Sequence, residues 1–162
     1  MEFMNVFTKG SKLVKVTSYK AIIKTDGKLP LPQHVHPTGL VKKQVIEDII
    51  NQLLAWDIVE KSVSTMASPI MMVWQNNKWC FCVDFRKLNE VTLEDAYPIL
   101  RSDYVFSTLA GKCFFTLIDT IKGYHQVELE ENDKHKTALI SYKGLFQFKC
   151  LPFGLKNAPV QF

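Results

Sequence analysis

The sequence predicts an α+β fold on three observations. One long segment carries apolar residues at helical spacing, and two separate pairs of β-rich runs each flank a short turn. In "GLVKKQVIEDIINQLLAWDIV", Val41, Val45, Ile46, Ile49, Ile50, Leu53 and Leu54 recur at three- and four-residue steps, with Lys42, Lys43, Glu47, Asp48, Asn51 and Gln52 between them. Such a helix lies on a core, because short helices standing alone are marginal in water. The runs "SPIMMVWQ" and "KWCFCVD" enclose Asn76-Asn77, a pair that tolerates positive φ and therefore predicts a hairpin. "KTALISY" and "LFQFKCL" around Lys143-Gly144 predict a second.

Upstream of the helix, residues 1–28 are irregular and hold one strand-like piece, "YKAII", so they are expected to form an arm ahead of the body. Pro30, Pro32 and Pro37 in "DGKLPLPQHVHPTG" keep the next stretch extended, and Thr38 is placed to cap the helix. After the first hairpin, Pro98 opens a helical piece, "PILRSDYVFSTLAG", that Gly111 can close in a left-handed turn. "KCFFTLID" reads as a short strand ending on a carboxylate, and "LKNAPVQF" as the opening of a helix.

With 47% apolar residues in 162, the chain can bury a core, which excludes a disordered tail. Its net charge of +4 is unevenly placed: residues 1–43 carry eight lysines against Glu2 and Asp26, and the remainder is slightly acidic. A basic leader suits a polyanion, since each Lys that meets a phosphate releases counterions, but it suits a solvated leader equally. Four cysteines do not make a secreted disulfide framework, and no signal-peptide pattern or membrane-length apolar run is present, so an intracellular, reducing setting without a membrane is the expectation. Cys80 and Cys82 are spaced poorly for zinc and are expected as buried, reduced thiols; His34, His36 and His125 are expected in turns or packing.

Asp119 is the residue most suggestive of chemistry. A strand of period two would put Phe115, Leu117 and Asp119 on one face, with the carboxylate at the strand's end. An aspartate there can ligate a metal; it can equally begin a turn with Thr120. Asp84 and Arg86 are spaced for an ion pair, or for Arg86 to grip a phosphate.

The strings "ASPIMMV", "KWCFCVDFRKLNEVT", "AYPIL", "FFTLIDTIKGYHQVEL", "KTALISYKGLFQF" and "LPFGLKNAPVQF", in this order, resemble the reverse transcriptase domain of Gypsy-type long-terminal-repeat retrotransposons from about Leu29 to Phe162. The resemblance implies the fingers (about 29–94 and 128–157) and partial palm (about 95–127 and 158–162) of a right-hand polymerase, truncated before its second catalytic motif. It implies that Asp119 is the first catalytic aspartate and a ligand of two magnesium ions. Thr120, Tyr124, Phe153, Gly154 and Lys78 would face the incoming nucleotide, with Tyr124 under the sugar and Phe153 against the nucleotide. Trp79, Asp84 and Arg86 would border the template. The implied partners are an RNA or DNA template-primer and deoxynucleotides.

Three departures count against catalysis by this chain alone. Cys80 follows Trp79 where the family has a triphosphate-gripping Arg, and a thiol cannot replace a five-donor cation. The preceding hairpin keeps only Lys78 of its usual lysines. No Tyr-x-Asp-Asp string occurs, so one carboxylate would have to hold two divalent ions against their repulsion. The expected function is therefore a polymerase fragment inactive by itself, with a non-catalytic nucleic-acid-binding relic or an unselected remnant as the alternatives.

Overall fold

The computed structural model describes residues 15–98 and 101–162. Its elements are β1 (Val16–Ala21), α1 (Leu40–Ala55), β2 (Val59–Lys61), β3 (Ser68–Gln75), β4 (Lys78–Val83), α2 (Arg86–Val91) and α3 (Ser102–Leu109), followed by β5 (Val127–Leu129), α4 (Glu131–Lys134), β6 (Leu139–Ser141), β7 (Gly144–Phe148) and α5 (Ala158–Gln161). Five strands form one sheet in the order β2-β7-β6-β3-β4, and β1 pairs with β5 in parallel. The fold is α+β, as the sequence predicts. Among the described residues no helix is long and apolar enough to cross a membrane.

Turn chemistry sets the register of both hairpins. Asn76 and Asn77 take φ of 51° and 56°, the left-handed pair that a tight two-residue turn demands, and Trp74 comes to face Trp79 across the ladder. In the second hairpin Ser141 faces Gly144, whose φ of +122° suits glycine alone. β3 changes partner at its start. Ser68 and Pro69 pair with β6, whereas Ile70 to Gln75 pair with β4, so the missing N–H of Pro69 falls where one ladder gives way to the other.

Helix α1 buries Ile46, Ile50 and Leu53 against the sheet and leaves Val41 and Leu54 exposed, a narrower apolar stripe than its spacing suggests. Thr38 does not cap it. Gly39 holds that position, while the Thr38 hydroxyl donates to the His36 carbonyl and meets the Tyr142 hydroxyl. The helix ends through Asp57, at φ 57°, with the Ile58 N–H returning to the Leu53 carbonyl. Lys149 and Lys15 flank the Asp57 carboxylate at 2.6 and 3.2 Å and hold it below the ordinary carboxylate range.

The leader is not wholly separate from the body. Residues 1–14 lie outside the described residues, but β1 packs on β5, and Ala21 and Ile23 are buried in the core. One buried carboxylate secures this junction. Asp133 accepts the Ile23 N–H at 2.8 Å and the Lys136 ammonium at 2.6 Å, and Lys136 also donates to the Ile23 carbonyl.

Other expectations fail as well. Residues 112–120 form no strand: Phe114, Leu117 and Ile118 point outward, with Leu117 95% exposed, and no described strand lies beside them to complete a ladder. Helix α3, which ends before the left-handed Gly111, buries none of its residues, and its start is Ser102 rather than Pro98. The thiols also differ from expectation. Cys150 is buried and its pKa is pushed up to about 11 by burial, but Cys80 is only partly covered and Cys82 is exposed, because they alternate along β4 with Phe81 and Val83, which pack on the core.

Asp133→Ala should cost about 3 kcal/mol of stability, because it leaves the Ile23 N–H buried without an acceptor and strips the Lys136 ammonium of its counter-charge, with only the Ile23 carbonyl left to it. Urea unfolding of the variant beside the parent chain measures it, and a loss under about 1 kcal/mol contradicts the role given to this junction.

Candidate nucleotide-facing site

The site is built where the end of β4 meets the loop 152–157. Asp84 is nearly enclosed, its side chain 7% exposed, while that of Arg86 is 81% exposed. Arg86 grips it in a fork, Nε donating at 2.9 and 3.1 Å and Nη2 at 2.7 Å, and the guanidinium holds the Asp84 carboxyl below its ordinary pKa. The pair thus has the geometry of a structural bridge, with the outer face of the guanidinium open.

Asn89, one turn into α2, fastens the loop with both ends of its amide. Its Nδ2 donates to the Gly154 carbonyl and its Oδ1 accepts the Lys156 N–H, each at 2.8 Å. Asn157 returns the bond, donating to the Leu93 carbonyl at 2.7 Å and accepting the Asp95 N–H at 3.3 Å. Gly154 sits at φ +92°, and a Cβ there would stand 3.7 Å from the Phe85 ring and the Val83 carbonyl. Neither asparagine is singled out by sequence reasoning, although both lie inside the strings "FRKLN" and "LKNAP".

This clamp presents Phe153 outward against Tyr124, ring centroids 4.9 Å apart. Phe162 also meets Tyr124, at right angles, with centroids 5.3 Å apart. The approach is so close that a Cβ on Gly123 would lie 2.5 Å from Phe162 Cζ and 2.8 Å from Thr120 Oγ1. Thr120, Tyr124, Phe153 and Gly154 are therefore gathered in one place. Lys78 and Trp79 are at the tip of the first hairpin instead, and no hydrogen bond, ion pair or aromatic contact among the described residues joins them to the cluster.

Asp119 is exposed in the irregular stretch before Thr120. Among the described residues no group of three or more His, Cys, Asp or Glu side chains is assembled that could hold a metal ion. The donor set around Asp119 does not fit a pair of divalent cations, which repel each other and need several carboxylates to share them.

Behind the aromatic cluster, between α1 and the sheet, lies a cavity of about 350 Å³ lined by Ile49, Leu53, Phe81, Phe148, Phe153 and His125. His125 stacks on Phe148 and meets Phe153 edge-on at 5.4 Å, and its buried Nδ1 has no hydrogen-bond partner among the described residues. Burial, and secondarily the charge of Lys122, pushes its pKa down to about 4. Lys122 itself takes a left-handed φ of 50° and lays its ammonium 3.2 Å from the centre of the Trp56 ring; burial lowers its pKa.

Stability should therefore fall as the pH drops from about 6.5 to about 4, since over that window the unfolded chain takes up a proton at residue 125 that the folded chain refuses. The difference amounts to about 3 kcal/mol across the window. In His125→Phe that part of the slope should vanish, which paired denaturant titrations at pH 7 and pH 4.5 measure; equal slopes in both proteins would contradict the assignment.

Against known proteins, the family model for reverse transcriptase (RNA-dependent DNA polymerase) matches residues 75–162. The Pol polyprotein of transposon 297 from Drosophila melanogaster is 33% identical over 99% of this chain, and that of transposon gypsy from the same organism is 34% identical over 88%. The chain spans only 16% and 14% of these two polyproteins. The prototype foamy virus protease-reverse transcriptase matches 99% of the chain with a TM-score of 0.86 at 21% identity, over 22% of that chain. The same kind of enzyme in complex with an RNA/DNA hybrid matches 92% of the chain with a TM-score of 0.78 at 20% identity, over 20% of its length. A clamped aromatic cluster on this fold, with close relatives in the transposons, has one reading: the chain belongs to the reverse transcriptase family, as a portion of the kind found in the Pol polyproteins of Gypsy-type retrotransposons.

Proposed function

We propose that these residues form the fingers (29–94 and 128–157) and first palm segment (95–127 and 158–162) of an RNA-directed DNA polymerase, and that they bind template-primer without copying it when no further carboxylates are supplied. The observation that carries this reading is the packing of Tyr124 on Phe153 beside Thr120 and the clamped Gly154. Tyr124 offers a flat apolar face to the sugar of an incoming deoxynucleotide, and its bulk leaves no room for a 2′-hydroxyl. Phe153 packs against the nucleotide, and Gly154 lets the backbone come near it. The open face of Arg86 and the ammonium of Lys78 are available to phosphates on the template side.

The reverse transcriptase family depends on divalent metal, and here Asp119 is the residue that would contribute to holding it. The 162 residues contain no Tyr-x-Asp-Asp string, so the remaining ligands have no source within them. That the foamy virus enzyme is seen with an RNA/DNA hybrid and with double-stranded DNA supports a nucleic-acid partner.

Primer extension by the 162-residue chain with magnesium, on RNA or DNA template, should give no product, and clear nucleotide incorporation would overturn the inactive reading. Binding to a hybrid duplex should persist. With three or four phosphates neutralised, affinity should fall roughly 40- to 150-fold between 50 and 200 mM salt. Fluorescence anisotropy measures this, and a salt-independent affinity, or none, sinks the nucleic-acid reading.

A further inference from the structure

We infer that the tip of the β3–β4 hairpin is a stacking platform for an unpaired base of single-stranded nucleic acid, with Trp74 as the residue that takes the base. The inference rests on the nucleic-acid reading above and adds a subsite and a specificity to it. Trp74 stands opposite Trp79 in the ladder, so both indoles leave the same face, and they meet edge-to-face with centroids 4.9 Å apart. Trp79 is partly covered, whereas Trp74 is 56% exposed. An indole packed against a neighbouring ring and still more than half exposed is costly to leave in water, and its rotation is already restricted before any ligand arrives.

The surroundings are cationic. The ammonium of Lys42 lies 4.7 Å from the Trp79 ring centre, and that of the adjacent Lys43 lies 4.2 Å from the ring centre of Tyr142. Tyr142 is fixed in turn by its hydroxyl, which donates to the His36 carbonyl at 2.7 Å. Both lysines belong to the first turn of α1, which contains no acidic residue, and Lys78 adds a third charge at the tip. Exposed rings interleaved with lysines form a strip on which bases stack while phosphates pair with ammonium groups. A protein ligand would need shape and hydrogen bonding that this strip does not provide, whereas every base has a π-face and every nucleotide a charge.

The test is anisotropy with a labelled 12-nucleotide single strand and with an abasic strand of equal length, using the parent chain, Trp74→Ala and Trp74→Phe. Trp74→Ala should weaken binding to the base-bearing strand about 5- to 10-fold, leave the abasic strand unchanged and keep the salt slope, while Trp74→Phe stays within about twofold of the parent. Equal loss on both strands, or no loss on either, overturns the platform; salt-dependent binding that survives in that case leaves the nucleic-acid reading standing. No binding of any strand or duplex overturns both. Matching unfolding midpoints of the three proteins keep a change in affinity separate from a change in folding.

Discussion

A backbone segment in a sheet needs another backbone to answer its N–H and C=O groups, and where that answer exists decides what this chain can be. Segments far apart in sequence supply it for one another: Val59–Lys61 to Gly144–Phe148, Ser68–Pro69 to Leu139–Ile140, Val16–Ala21 to Val127–Leu129. Each of these pairings closes a long loop, and the entropy of that closure is offset by apolar burial along one face of the sheet and beneath α1. Residues 112–120 have no such answer among the described residues, and their apolar side chains remain in water. The aromatic cluster therefore lies at a border, where a paired framework stops and an unpaired carboxylate segment begins.

On the paired side, polar side chains take over where the ladders end. Asn89 makes two hydrogen bonds from α2 to the loop that carries Phe153, and Asn157 makes two more from that loop to Leu93 and Asp95 just beyond α2, so the outward ring is positioned by amides rather than by burial. Asp84 spends its acceptors on Arg86, and Asp57 spends its own on Lys15 and Lys149. The exposed ion pairs contribute little singly; their use is to fix the ends of elements that packing alone leaves loose. Lys122 and His125 are different, because both are pressed towards neutrality by burial next to each other. The turn that presents Tyr124 is thus the place where the fold tolerates an unfavourable electrostatic arrangement, as sites that must face a ligand often do.

The fold was legible wherever local chemistry and tertiary demand agreed. Asn76-Asn77 and Gly144 mark turns because positive φ suits those residues, and the structure has a hairpin at each place. The helical period of α1 was legible for the same reason. "KCFFTLID" misleads because its composition describes a strand that burial and a partner would favour, and composition cannot say whether the partner is at hand. Thr38 misleads because a tyrosine 104 residues away competes for its hydroxyl. The aromatic residues of the site were readable through the family's strings; Asn89 and Asn157 were in those strings too, but an amide's role depends on which carbonyl it finds in space.

Membership of a family does not by itself secure its chemistry, for a physical reason. The match to reverse transcriptases is spread over strands, turns and a core, and each can vary at some positions without losing the fold. Phosphoryl transfer has no such redundancy, since it concentrates charge at one point and needs several carboxylates within a few ångströms of it. Binding lies between the two. Phosphate contacts add nearly independently and stacking needs only an exposed ring, so a nucleic-acid surface survives the loss of one arginine in a way that a metal site does not survive the loss of one ligand set. On the proposed function, Trp74, Trp79, Lys42 and Lys43 stand apart from the cluster of Tyr124 and Phe153, so affinity for a strand and the extension of it would rest on different residues.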